Sequence, residues 1–211
     1  NSAPPAGGIV GAQVDVAGLV DEFYDFTEFT GGPVVTVDSS GNTLPTVVTF
    51  DAALPSPNQP QAATAYERYE GMRVSIASGV VGGPSQYFGS DPTAEAYIVA
   101  TTARPYREPG ALYPGLGGTI PVWDGNPEVF ELDSDKFAEA VDPINAGSTF
   151  SAEGVLAYEF EGYELWATSV TVNQATLPVP VRPRAAGEFA VGSFNVLRLF
   201  DDVNDPEIDD P

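Results

Sequence analysis

The 211-residue chain contains no cysteine and no histidine, and it has one lysine, Lys136, and one methionine, Met72. Without cysteine and histidine there can be no Ser-His-Asp triad, no cysteine nucleophile and no imidazole- or thiolate-bound metal. A single lysine leaves almost no scope for Schiff-base or P-loop chemistry. Because disulfides are excluded, the stability of a secreted form would depend on packing, metal binding or assembly.

Basic residues are also scarce. Eight Lys+Arg stand against 30 Asp+Glu, which gives a formal net charge of −22. Such a chain lacks the clustered basic groups that bind DNA directly or anchor a protein to anionic lipid. No apolar run reaches the roughly 18 residues that a membrane span needs, so membrane insertion is not expected. The charge favours solubility, binding of hard cations and tolerance of salt.

The chain contains enough apolar residues to form a core, and it is also rich in turn residues. Hydrophobic residues make up 43%, with 12 Phe, 9 Tyr and 2 Trp, alongside 22 Gly and 20 Pro. Alternation of apolar and polar residues predicts an all-β fold with long Pro/Gly-rich loops. The predicted strands are 13–20, 22–29, 33–37, 46–50, 72–81, 94–102, 129–132, 150–160, 163–172 and 189–200, with short helices at 61–71 and 134–140.

Two glycines, Gly18 and Gly154, lie inside predicted strands, where a glycine typically marks a bulge or sharp bend. Small Greek-key barrels of the OB type bend their first strand in this way. We therefore expect one or two OB-like Greek-key β barrels over residues 1–185. In the two-barrel alternative, the sub-barrels span about 1–103 and 127–176. Residues 186–211 would form a single strand followed by an acidic tail.

The acidic tail is the first candidate metal site, because calcium takes six to eight oxygen ligands. The alternative is a solvated acidic linker. The carboxylates that would serve as ligands are Asp201, Asp202, Asp205, Glu207, Asp209 and Asp210.

A second candidate cation site is the turn that holds Asp124, Asn126 and Glu128, with Asp133 and Asp135 following closely. Its alternative, which the sequence favours, is an ordinary Asx turn followed by a strand.

Other side chains are assigned structural roles. Tyr24, Phe26 and Phe29 alternate with acidic residues, which predicts a buried aromatic sheet face. Four arginines are expected to form structural ion pairs with Glu67, Glu70 and Glu108, which lie next to them in sequence: Arg68, Arg73, Arg104 and Arg107.

Several runs resemble a known group of proteins. These runs are YERYEGM at 66–72, REPG at 107–110, PVWDGNPEVF at 121–130, GVLAYEF at 154–160 with YELW at 163–166, and GSFNVLRLFD at 192–201. They are similar to large secreted bacterial nucleases of the endonuclease/exonuclease/phosphatase superfamily. The resemblance covers nearly the whole chain. The runs at 66–72, 107–130 and 154–166 are its specific part, whereas the strand motif at 192–201 is common and weaker alone.

The resemblance implies an OB-like accessory region followed by the first strand of a catalytic domain. It places Asn195 at the position of an active-site asparagine. The family's chemistry also needs a histidine and further metal-binding carboxylates from a complete catalytic domain, and this chain has no histidine. We therefore expect no enzymatic activity. The family implies a secreted bacterial protein, and the start NSAPP is typical of a mature N-terminus after signal cleavage.

Two functions follow as hypotheses. The first is a non-catalytic accessory module that binds and positions, with Ca²⁺ as the expected cofactor and a nuclease catalytic domain as partner. Contact with nucleic acid would then require cation bridging. The second is a structural subunit that assembles with copies of itself into an extracellular filament or matrix. Strand addition would use the apolar side chains of Phe194, Val196, Leu197, Leu199 and Phe200.

Overall fold

The computed structural model describes residues 8–57, 61–83, 85–88, 91–102, 126–137, 141, 143–176, 182–189 and 191. The fold is mostly β and contains two sheets and one described helix. No helix in these ranges is both long and apolar enough to cross a membrane. The chain divides into two compact units, Asn1–Leu177 and Pro178–Pro211.

The first sheet is a hairpin of β1 (Gln13–Phe23) and β2 (Phe26–Ser39). Its turn is Tyr24–Asp25, and both residues have positive φ (50° and 63°). The prediction of one strand over 22–29 is therefore wrong, because the chain reverses in the middle of that range. The strand also continues past Gly31–Gly32, where a register shift and positive φ form a bulge rather than an end.

The predicted burial of the aromatic face on this hairpin is also wrong. Tyr24 is 83% exposed and Phe29 is 48% exposed. Only Phe26 is half-buried, with its ring 6.2 Å from that of Trp166. A two-stranded ribbon has two faces and few neighbours, so alternation alone does not bury either face.

The second sheet has seven strands in the order β3-β4-β8-β9-β7-β6-β5. Their bounds are β3 (Val48–Phe50), β4 (Arg73–Val81), β5 (Gln86–Phe88), β6 (Asp91–Val99), β7 (Phe130–Asp133), β8 (Thr149–Glu159) and β9 (Gly162–Asn173). The pairings are antiparallel except for β3–β4 and β7–β9, which are parallel.

Five of these strands pair in succession and return to the start. β4 pairs with β8, β8 with β9, β9 with β7, β7 with β6, and β6 again with β4 through Val80–Val99 and Val81–Ile98. Strands from both sides of the 103–127 segment therefore share one sheet. The division into sub-barrels at about 1–103 and 127–176 stays a prediction.

The glycine in β8 allows two strands to approach closely. A Cβ on Gly154 would lie 2.3 Å from the backbone oxygen of Trp166 in β9. The β8–β9 register shifts between Glu153 and Gly154, and the β1–β2 register shifts across Gly18. Both glycines thus mark bulges, as predicted.

The helix is α1 (Gln61–Tyr69), which ends where Gly71 takes a positive φ of 71°. Its buried Ala62, Ala65 and Tyr66 face the core. The Tyr66 ring stacks on that of Tyr163 in β9 at 4.7 Å. The predicted helical turn at 134–140 is not helical over its described part, 134–137.

The core lies inside the seven-stranded sheet and under α1. Its largest fully buried side chains include Phe50, Ile76, Ile98, Leu132, Ile144, Leu156 and Leu165. Apart from Ile144, which lies between β7 and β8, they come from strands far apart in sequence, so the burial of apolar area stabilises the long-range pairings.

The arginines in the described residues do not form the predicted ion pairs with glutamates next to them in sequence, and Arg104 and Arg107 lie outside the described residues. Arg73 forms an ion pair with Glu153 across β4 and β8 and donates to the Pro45 carbonyl at 2.7 Å. Arg68 instead lies over the Tyr69 ring, 5.5 Å from its centroid. In the second unit, Arg182 binds Glu188 through two hydrogen bonds of 2.8 and 2.7 Å.

Candidate functional site

Acidic and aromatic side chains share the outer face of β6, β7 and β9. Along each strand the core residues alternate with residues of the opposite face, since successive side chains in a strand point to opposite sides. The inner set is Ala96, Ile98, Phe130, Leu132, Leu165 and Ala167. The outer set, which we call the acidic face, is Glu95, Tyr97, Glu131, Asp133, Glu164 and Trp166.

Three carboxylates of the acidic face converge. Ligand oxygens of Glu95, Asp133 and Glu164 all lie within 4.8 Å of one another. The strand register explains this, because Glu95 pairs directly with Asp133 while Glu164 lies on the next strand, opposite Glu131. Glu164 is 1% exposed and Asp133 is 5% exposed, so two of the three carboxylates are removed from water.

Burial changes the protonation of both groups. It raises the pKa of the Glu164 carboxyl to about 8, and the nearby Glu159, Glu95 and Glu131 add to the shift. The hydrogen bond from Trp166 Nε1 to Glu164 Oε2, at 3.1 Å, acts in the opposite direction.

The pKa of Asp133 rises to about 6, mainly through burial and then through its hydrogen bond with Asp135. The backbone N–H of Lys136 donates to Asp133 Oδ1 at 3.1 Å and opposes that rise. Glu164 therefore holds its proton at neutral pH, and a bound cation would displace that proton.

The only lysine of the chain lies at the rim of this cluster. Lys136 Nζ is 2.7 Å from Glu159 Oε2, 4.0 Å from Asp133 Oδ2 and 4.5 Å from the centroid of the Trp166 ring. The rings of Phe137 and Phe26 also contact Trp166, at 5.8 and 6.2 Å. A cation held between carboxylates and an indole shows that this surface stabilises positive charge.

The three converging carboxylates are hard oxygen donors of the kind that calcium binds. Calcium prefers carboxylate oxygens, and the three carboxylates supply hard ligands at one point. Two of them are buried, so part of their desolvation has already occurred on folding. Glu95, Asp133 and Glu164 are therefore the described residues that could hold a divalent cation.

The turn predicted from sequence is an ordinary turn in its described part. Asn126 has a φ of 51°, and its carbonyl accepts from Val129 N–H at 3.0 Å. Asn126 Nδ2 donates to Glu128 Oε1 at 3.3 Å, and Glu128 is 6% exposed. Asp133, which the sequence placed near this turn, belongs to the acidic face together with Glu95 and Glu164. Asp124 lies outside the described residues.

The other predicted site residues also lie outside the described residues. They are Asn195, the tail carboxylates Asp201, Asp202, Asp205, Glu207, Asp209 and Asp210, and the assembly residues Phe194, Val196, Leu197, Leu199 and Phe200.

Sequence reasoning missed Glu95 and Glu164. The available signal was a glutamate at the polar position of an otherwise apolar strand, as in YELW at 163–166. That signal does not reveal which other strand lies beside it.

Comparison with known proteins gives one match. No curated protein and no solved structure matches the chain. Residues 43–176 match a family described as "Domain of unknown function (DUF8508)". The matched range begins before β3 and ends after β9, so it contains α1, the whole seven-stranded sheet and the acidic face, but not the β1–β2 hairpin. The chain belongs to the DUF8508 domain family.

Proposed function

We propose that the chain is a non-catalytic, secreted binding module built on an OB-like barrel, related to the accessory region of extracellular bacterial nucleases. The observation that carries the proposal is the pairing of five strands in succession, from β4 through β8, β9, β7 and β6 back to β4. OB folds are five-stranded Greek-key barrels that bind ligands on the face of their second and third strands. In chain order, the second and third strands of this ring are β6 and β7.

The chemistry of the acidic face supports a cation-dependent ligand. In the described part of the chain, the acidic face carries no basic group that could bind a phosphate directly except Lys136 at its rim, so we propose that an anionic ligand binds through a bridging ion held by Glu95, Asp133 and Glu164. Binding of that ion would displace the proton of Glu164. We propose Ca²⁺ as that ion, with Trp166 and Tyr97 as the adjacent aromatic surfaces. The module would bind and position a polyanion, such as nucleic acid, without cutting it, because the chain has no histidine to act on a phosphate.

Calcium binding can be tested directly on the full chain. Titration calorimetry with CaCl₂ is expected to give a saturable site that the double variant Asp133→Asn/Glu164→Gln weakens at least tenfold. Glu161→Gln, in the exposed turn between β8 and β9, removes a carboxylate elsewhere and is the matched control. Equal calcium affinity in all three proteins would contradict the site.

The ligand part of the proposal needs a separate measurement. Binding of a fluorescent DNA duplex is expected in millimolar calcium and is expected to disappear on addition of a chelator. The DNA is expected to stay intact in magnesium or manganese. Calcium-independent DNA binding, or cleavage, would overturn the proposal of a calcium-bridged, non-catalytic module.

A second candidate function is a self-assembling extracellular subunit, and the β1–β2 hairpin favours it. The hairpin exposes large apolar side chains, among them Leu19, Val20, Phe23 and Val34 at 59–69%. Exposed apolar strands are typical of surfaces that pair with another chain. Light scattering and electron microscopy at rising protein concentration are expected to show regular polymers. A particle that stays monomeric at every calcium concentration would contradict this candidate.

A further inference from the structure

The outer edge of β1 is an exposed and long strand edge. Ten of its eleven residues are exposed, and only Val16 is half-buried. Within the described part of the chain, β1 pairs with β2 and with no other strand. Natural edge strands are usually short or are protected by proline, charge or a bulge. β1 is eleven residues long and has no proline, and beyond the bulge at Gly18 its protection is the negative charge of Asp15, Asp21 and Glu22, which does not oppose a basic partner strand.

The edge of β2 is less accessible than that of β1, because residues of β2 near the hairpin turn contact the larger β unit. Thr27 N–H donates to Glu70 Oε1 at 2.7 Å, and the Phe26 ring contacts Trp166. Phe23 and Phe26 form the last pair before the two-residue turn, so they share ladder hydrogen bonds. The next pair, Glu22 and Thr27, points its N–H groups away from the ladder. By the same alternation, the N–H of Val20 points outward from β1.

The charge of the hairpin restricts what can pair with this edge. Residues 13–39 contain six carboxylates and no lysine or arginine. A second hairpin would bring six more carboxylates to the same surface, so pairing of two hairpins is disfavoured. The edge fits an extended, apolar segment that carries positive charge.

One segment of the chain itself has that composition. Residues 189–200, FAVGSFNVLRLF, contain one basic residue, Arg198, and no aspartate or glutamate. Their β-branched and aromatic composition is typical of a strand. At its start, Phe189 and Val191 are 84% and 89% exposed.

We propose that β1 is the acceptor edge for residues 189–200 of a second copy, which adds to the hairpin as a third strand. The inference rests on the self-assembling candidate and names the surface that candidate uses. Main-chain hydrogen bonds to outward N–H groups such as that of Val20 would provide affinity. Arg198 beside the carboxylates of the hairpin would provide selectivity and salt dependence.

The test uses the full chain and a fluorescent synthetic peptide of residues 188–200. Fluorescence anisotropy is expected to show saturable binding of one peptide per chain. Affinity is expected to fall at least threefold between 0.05 and 0.5 M NaCl. An Arg198→Glu peptide is expected to bind at least tenfold more weakly. Equal binding of the Arg198→Glu peptide would overturn the charge argument.

Variants of the acceptor strand locate the binding edge. Val20→Pro removes an outward N–H and is expected to weaken peptide binding at least tenfold, whereas Val20→Thr keeps that N–H and is expected to bind normally. Asp15→Lys changes no backbone group and is expected to weaken binding severalfold, which covers the case in which the proline variant fails to fold. Unchanged binding to folded Val20→Pro and to Asp15→Lys would refute β1 as the acceptor.

The same experiment separates this inference from the proposed function. Peptide binding at β1 without polymers in electron microscopy would retain the acceptor edge and reject the self-assembling subunit. Polymers that persist in Val20→Pro and in Asp15→Lys would retain the subunit and reject this edge. An alternating valine–arginine peptide that binds as tightly as residues 188–200 would reject this segment as the specific occupant.

Discussion

The seven-stranded sheet and the β1–β2 hairpin are both rich in valine and alternating patterns, yet they bury their apolar residues to opposite extents. In β8, Phe150, Leu156 and Ala157 are at most 2% exposed, whereas in β1, Leu19 and Val20 are 69% and 64% exposed. In the seven-stranded sheet β4 pairs with β6 as well as with β8, and the buried residues of α1 pack into the same core, so the inner side chains have neighbours. The hairpin has no second layer among the described residues. Alternation therefore predicts a strand, but burial depends on what the strand packs against.

The largest expected effect is the difference in unfolding free energy between two leucine-to-alanine variants, one in each region. Leu156→Ala in β8 is expected to lower the free energy of unfolding by about 3 kcal/mol, because it leaves a cavity in the core. Leu19→Ala in β1 is expected to change it by less than about 0.5 kcal/mol, because that side chain is exposed. Urea unfolding of both variants measures the difference. Similar losses would show that the hairpin is buried in solution.

The pH dependence of stability tests the acidic face, with an expected effect on the order of 2 kcal/mol. The Glu164 carboxyl has a pKa of about 8 when folded against a reference value of 4.5, so the folded chain holds its proton more tightly. Its contribution is present below pH 4.5 and is lost as the pH rises towards 8.

Glu164→Gln tests this assignment in chelator. We expect the variant to lose less stability than the wild type between pH 5 and pH 8.5, since glutamine does not ionise. Glu161→Gln is expected to keep the wild-type slope. The same slope in all three proteins would disprove the burial of a titrating Glu164.

A smaller effect is expected at the lysine beside this cluster. Lys136→Met removes the contacts with Glu159 and Asp133 and is expected to cost about 0.5–1 kcal/mol, because the ammonium is partly exposed. In 1 M NaCl the difference from the wild type is expected to shrink, as screening weakens the ion pairs. A cost that does not change with salt would assign the role of Lys136 to packing on Trp166.

The smallest effect is expected at the hairpin turn. Tyr24 and Asp25 both have positive φ, which asparagine and glycine adopt more readily. Tyr24→Asn/Asp25→Gly is expected to stabilise the hairpin by about 0.5–1 kcal/mol. We expect slower amide hydrogen exchange in β1 and an unchanged unfolding transition of the seven-stranded sheet. Faster exchange would contradict the turn geometry.

The sequence was most informative where a local rule decides the structure. The helix at 61–69 and strands β4, β8 and β9 lie within a few residues of their predicted bounds, because periodicity and a glycine stop are local signals. The hairpin was predicted incorrectly for a local reason as well. Its turn uses Tyr24 and Asp25 instead of glycine, while Gly31–Gly32 forms a bulge inside β2.

The candidate site was not predictable in the same way. Glu95, Asp133 and Glu164 come from three strands that are distant in sequence, and only their register brings the carboxylates together. The sequence indicated that hard-cation ligands are abundant. With 30 acidic residues, however, it could not select these three.

The strand pairs of the molecule differ widely in sequence separation, and this difference bears on the order in which they form. β8–β9 and β1–β2 are hairpins joined by two-residue turns, and such local pairs form within microseconds. The contacts of β4 with β8, and of β7 with β9, join distant parts of the chain and must overcome loop-closure entropy first. We therefore expect the β1–β2 hairpin to pair early and transiently, since such a hairpin is marginally stable by itself. Its β1 edge would then be available to other chains before any surface that depends on the finished sheet.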